Sequence, residues 1–161
     1  MADSIERELR DWLMGAKNVV VAGIGNPIRT DDFVGLKIAE GLQGKVPKTV
    51  CLLECETVPE SYLLDIEQFH PTHVLLIDAA LLGYTAGTAS LVDAEEIADF
   101  PAISSHVLPL RVFCEYVKKA TAAKIALLLI EPKSVEFGEG FSSEVVVLAE
   151  KLTQILLKLL G

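Results

Sequence analysis

The sequence predicts an α/β protein of three layers, a twisted, mainly parallel five-stranded sheet with helices on both faces. Three observations carry this. Short runs rich in Val, Ile and Leu alternate with amphipathic runs along the chain. Hydrophobic residues make up 51% and charged residues 23%, with a mean hydropathy of +0.42, which suits strands buried on both faces. The 161 residues read as one domain, 1–161, with no linker or repeat. A chain of this length buries roughly 70% of its unfolded surface and needs no staple to fold.

The elements follow in order. Asp3 can cap a first helix, with Glu6 three residues on and Ile5, Leu9, Trp12 and Leu13 on one face, before Gly15 ends it. Residues 18–23 (NVVVAG) read as a buried strand, and a second helix over 31–43 spaces Val34, Ile38 and Leu42 four apart. Residues 50–55 form the second strand. Thr57 then caps a helix with Pro59 in its first turn, ending near Phe69. The third strand is 73–78 (HVLLID), and a shorter fourth spans 88–92. Ser104 or Ser105 caps a helix carrying Pro109, and 124–130 is the fifth strand. Ser142 or Ser143 opens the last helix, with Val145, Ala149, Leu152, Leu156 and Leu159 inward.

Charge and cysteine usage narrow the function classes. Fourteen Lys and Arg against 23 Asp and Glu leave a net charge of −9, which repels phosphate backbones and anionic lipid. The first twelve residues are acidic and amphipathic, without a secretory pattern, and the longest aliphatic run, 125–130, is far too short to span a bilayer. Cys51, Cys55 and Cys114 are few and odd in number, as expected of buried, reduced thiols in a cytoplasmic protein. Cys51 and Cys55 share one face of a strand, and no second pair completes a zinc site.

The first strand runs into GIGNPIRTDD (residues 23–32) and then a helix. A dinucleotide fingerprint fails here, because Ile28 occupies the third glycine position and Pro27 interrupts the turn. Asp31 and Asp32 stand where a pyrophosphate needs positive charge and free N–H groups. Either the pair caps the helix and complements its dipole, or it contributes to a cation site. Asp78 follows VLLI at the carboxyl end of the third strand, where α/β sheets bind ligands, although Asp is also a common turn residue. His70 and His73 flank Pro71 at a helix-to-strand corner and read as solvated. His106 follows two serines at a helix start and reads as either structural or part of a site. Asp32, Asp78 and His106 together would make an incomplete ligand set, open to outside ligands on the same ion.

Four segments resemble the hydrogenase maturation endopeptidases, which trim the C-terminal tail from the large subunit of nickel–iron hydrogenases. They are GIGNPIRTDDFVG, IDAA (77–80), SSHVLPL (104–110) and IEPKSVEFGEGFSSEV (130–145), in that order and across nearly the whole chain. The stretch TVPESYLLDIEQFHPTHVLLIDAA is most similar to the branch serving formate-hydrogenlyase-type hydrogenases. The resemblance implies that Asp32, Asp78 and His106 contact nickel, and that the attacking water is activated either by Asp32 or Asp78 as catalytic base or by the metal. It implies that the nickel arrives with the precursor, held by the precursor's cysteines, rather than residing in the enzyme. Two departures fall near the substrate: Phe33 stands where many relatives carry Gly, and CETVPE (55–60) replaces an Asp-Gly-Gly-Thr type of run. Two other readings use the same residues, a nickel-dependent assembly chaperone without catalysis and a small-molecule hydrolase or phosphorylase. The acidic opening argues against phosphate in the latter.

Overall fold

Strand β3 (His73–Ala79) is the centre of the sheet, with β1 (Val19–Ile24) parallel on one side and β5 (Lys124–Ile130) parallel on the other. Beyond β1 lies β2 (Val50–Glu56), also parallel, and beyond β5 lies β4 (Ala89–Asp93), the one antiparallel strand, giving the order β2-β1-β3-β5-β4. The computed structural model describes residues 2–99, 107–138 and 140–161.

Alternation along the strands explains the three layers. Val19 and Val21, Leu75 and Ile77, and Leu128 and Ile130 face one side. There they meet α1 (Ala2–Trp12), α2 (Val34–Leu42) and α5 (Ser143–Leu160). Val20 and Ala22, Val74 and Leu76, and Leu127 and Leu129 face the other, under α3 (Leu63–Phe69) and α4 (Val107–Ala120). With both faces covered, the three inner strands are almost wholly buried, so they read as continuous aliphatic runs. Val34, Ile38 and Leu42 are buried as their spacing predicts. In α5 the buried stripe also takes in Leu148, Ile155 and Leu160, while Leu159 is half-buried.

Several local expectations are corrected. Asp3 already lies inside α1. The chain enters α2 through a 3-10 turn, Thr30–Phe33, so Asp31 and Asp32 sit on that tighter turn. A second 3-10 turn, Pro59–Tyr62, leads into α3 after Val58, and Thr57 makes no cap. The serines proposed to cap α4 lie outside the described residues. Among the described residues no helix is long and apolar enough to cross a membrane. Cys51 and Cys55 do face the same side, and the three thiols are unpaired. Burial pushes Cys55 and Cys114 up to about 12, which leaves them poor nucleophiles.

His73 is not solvated. It is 4% exposed and its ring meets Trp12 edge-on, with centroids 5.0 Å apart. The Thr72 hydroxyl reaches the Asn18 carbonyl (3.1 Å), and Nδ1 of the imidazole lies within hydrogen-bond distance of Thr72 Oγ1 (3.0 Å). Nε2 is buried without a hydrogen-bond partner among the described residues. Burial, with the charge of Lys124, lowers the pKa of His73 below the ordinary imidazole range. The unfolded chain therefore takes up a proton at pH values where the folded chain does not. The stability that His73 contributes is fully present above about pH 6.5 and is lost as the pH falls below it. In thermal melts from pH 7.5 to 5, the melting temperature of His73→Phe should fall less steeply than that of wild type. Parallel curves would remove His73 as the cause.

Candidate active site

The sheet order dictates where a site can form. From β1 the chain crosses through α2 to β2 on one side, then returns through α3 to β3 on the other. The direction of winding thus reverses between β1 and β3, and sheets of this kind bind ligands outside the carboxyl ends of their strands at such a point. The Asp31–Asp32 turn leaves β1 at that point and packs against β3, while Asp78 is the penultimate residue of β3.

Close backbone approach brings these segments together. A Cβ on Gly35 in α2 would collide with the Ile77 carbonyl and crowd that of Ile24, so the first turn of α2 rests on the ends of both strands. A Cβ on Gly25 would collide with the Asp32 carbonyl. Gly35→Ala should cost about 1–3 kcal/mol in urea melts through overpacking and should reduce processing, because it pushes α2 off the strand ends. Unchanged stability would mean that this contact yields freely.

The two acids of the pair have different surroundings. Asp31 is 0% exposed and collects four hydrogen bonds from the loop between β5 and α5. Oδ2 accepts from Lys133 N (2.9 Å), Ser134 N (3.1 Å) and Ser142 Oγ (2.7 Å), and Oδ1 accepts from Ser142 N (2.8 Å). Ser142 is the N-cap residue of α5, so the Asp31 carboxylate also meets the positive end of that helix. Neither Asp caps α2: no side-chain capping bond is made there. Asp32, 6% exposed, accepts from Asn26 N through Oδ2 (3.0 Å), which closes the turn after β1. Thr30 holds a positive φ of 45°, and its hydroxyl secures that conformation by donating to Ser134 O (2.7 Å).

Asp78 is 1% exposed and accepts from Ala79 N (2.8 Å). Strand alternation turns it toward the α4 face. His106 lies outside the described residues, and the described part of α4 runs from Val107. The connection after Ala120 is three residues long, so α4 ends at the start of β5 and its first residues face the carboxyl edge. Among the described residues, which do not include His106, no three His, Cys, Asp or Glu form a group that could hold a metal.

Sequence reasoning missed Glu131. It follows β5 directly, is 4% exposed, and its Oε1 accepts from Leu82 N (2.8 Å) and Tyr84 N (3.1 Å). This fastens the loop after β3 to the end of β5. The signal was present: a charge ending a buried aliphatic run drew attention at Asp78, and ALLLIE repeats it. Phe33, one of the departures, stacks on Phe141 with centroids 5.5 Å apart, tying the turn to the entrance of α5.

Known proteins share this architecture and sequence. The structure superimposes on a [NiFe] hydrogenase maturation protease from Thermococcus kodakarensis with a TM-score of 0.87. The two are 33% identical, covering 95% of this chain and 98% of the other. A Methanocaldococcus jannaschii protein assigned as a hydrogenase maturation protease is 32% identical over 160 residues, 94% of each chain. The hydrogenase 3 maturation protease of Escherichia coli is 25% identical over 118 residues, 73% of this chain and 75% of the other. The fold is therefore that of a peptidase built on a doubly wound α/β sheet. Residues 36–159 match the hydrogenase maturation protease family, and the chain belongs to that family.

Proposed function

We propose that the chain removes the C-terminal extension of a nickel–iron hydrogenase large-subunit precursor in the cytoplasm, after nickel has been inserted. In this reading Asp32, Asp78 and His106 recognise nickel that arrives as part of the substrate. The carrying observation is the placement of two buried carboxylates, Asp32 and Asp78, at the β1–β3 switch point. The likeness to the hydrogenase 3 maturation protease supports a substrate of the hydrogenase 3 type.

The chemistry is peptide hydrolysis by an activated water. With the ligand set incomplete, the ion keeps its own cysteines while the enzyme's side chains dock it and bring the adjacent peptide bond over the carboxylates. One carboxylate takes a proton from water as the oxygen attacks the carbonyl carbon, then returns it to the departing amine nitrogen. The positive ion supplies charge stabilisation for the carbonyl oxygen. Asp31, occupied by four hydrogen bonds, positions the Asp32 turn and takes no part in proton transfer.

Mass spectrometry of large-subunit precursors co-expressed with the protein tests this. A precursor shortened at its C-terminus only when nickel is supplied is the expected result. Binding of nickel-loaded precursors with no shortening would favour the assembly-chaperone reading.

A further inference from the structure

We propose that Arg29 binds a carboxylate on the segment that is cut away, an inference that rests on the processing function above. Arg29 stands three residues before Asp32, in the turn that Asp32 closes through Asn26 N. Its guanidinium is held from two sides. Nε donates to the Val135 carbonyl (2.9 Å), and Cζ lies 5.2 Å from the ring centroid of Phe137, an aromatic that is 77% exposed. These contacts use the Nε–H and one face of the plane. The two Nη groups, which can grip a carboxylate bidentately, take no hydrogen-bond or ion-pair partner among the described residues.

The chain has 23 acidic residues, yet Arg29 forms no ion pair with any described residue. Its turn lies on the edge that carries the buried carboxylates Asp32, Asp78 and Glu131. Such an edge draws in a cation and repels an anion. A peptide tail ending in a carboxylate would be turned away unless a positive group received it, and a pre-oriented guanidinium at the rim does so. The anion is either the α-carboxylate of the extension or an acidic side chain within it.

Calorimetric titration of nickel-loaded large-subunit precursor into the full-length protein separates these cases. Arg29→Gln should bind the precursor about 10- to 100-fold more weakly than wild type, the usual weight of a charge-assisted bidentate pair. Arg29→Lys should recover part of the loss, and high salt should shrink it. Against a precursor amidated at its C-terminus, or one with the extension's acids changed to amides, wild type and Arg29→Gln should converge, and the converging arm names the source. Equal binding by Arg29→Gln and wild type overturns the inference. So does a loss that persists against a precursor carrying both changes, which would mean that Arg29 only anchors Val135 and Phe137. Wild type that binds but does not cut refutes the peptidase reading while the titration still decides Arg29. Wild type that binds no precursor refutes both.

Discussion

Asp32→Asn should abolish processing and leave the fold as stable as wild type. Among the described residues the carboxylate accepts from Asn26 N, and an amide oxygen accepts that bond equally well. Removing the charge also relieves repulsion with Asp78 on the same edge. A neutral amide, however, is a poor ligand for nickel and cannot act as base. Loss of general-base function alone is expected to reduce cleavage by about 10²- to 10⁴-fold, and loss of docking compounds it. Cleavage of nickel-loaded precursor, followed by mass spectrometry, and a urea melt at neutral pH check the two halves. Retained cleavage would move the site away from Asp32, and a marked fall in stability would make it a structural residue.

The neighbouring change should behave in the opposite way. Asp31→Ala deletes a fully buried acceptor that serves three backbone N–H groups and one hydroxyl of the partly buried β5–α5 loop. Each buried donor left without a partner costs about 1–3 kcal/mol, and part of that is recovered if water enters, so a net loss of about 3–5 kcal/mol is expected. For a domain of this size each kcal/mol corresponds to about 2–4 °C, so the melting temperature should drop by roughly 10 °C or more. Asp31→Asn should not restore it, because an amide presents N–H groups toward donors on one side. Thermal denaturation followed by circular dichroism reads the effect. A drop of only a degree or two would show that the loop between β5 and α5 finds other acceptors.

The contrast shows how far a sequence can be read. Asp31 and Asp32 are chemically identical neighbours, and nothing local says which is buttress and which belongs to the site. The donors that occupy Asp31 lie 102 to 111 residues further along the chain. His73 departs from its sequence expectation for a related reason. Proximity to Pro71 suggests an exposed corner, but the strand begins at His73 itself and Trp12 of α1 covers the ring. Asp78 was legible because a charge closing an aliphatic run is conspicuous, and Glu131 could have been read in the same way.

By itself the sequence determined the elements, their alternation and the α/β class, because these follow from hydrophobic period and turn residues within short windows. Motif order along the chain also carried the family resemblance. Only the tertiary structure decided that β3 is central, that β1 and β3 flank the switch point, and that β4 runs antiparallel at the edge. Strand order is a choice among long-range pairings, and aliphatic strands such as VVVAGI and KIALLLI, which lie on either side of β3, offer nearly interchangeable faces. What selects among them is the packing of whole layers. Helix α2 can rest on the ends of β1 and β3 only where Gly35 removes a side chain, and the β5–α5 loop can reach the Asp31 turn only when β5 lies beside β3.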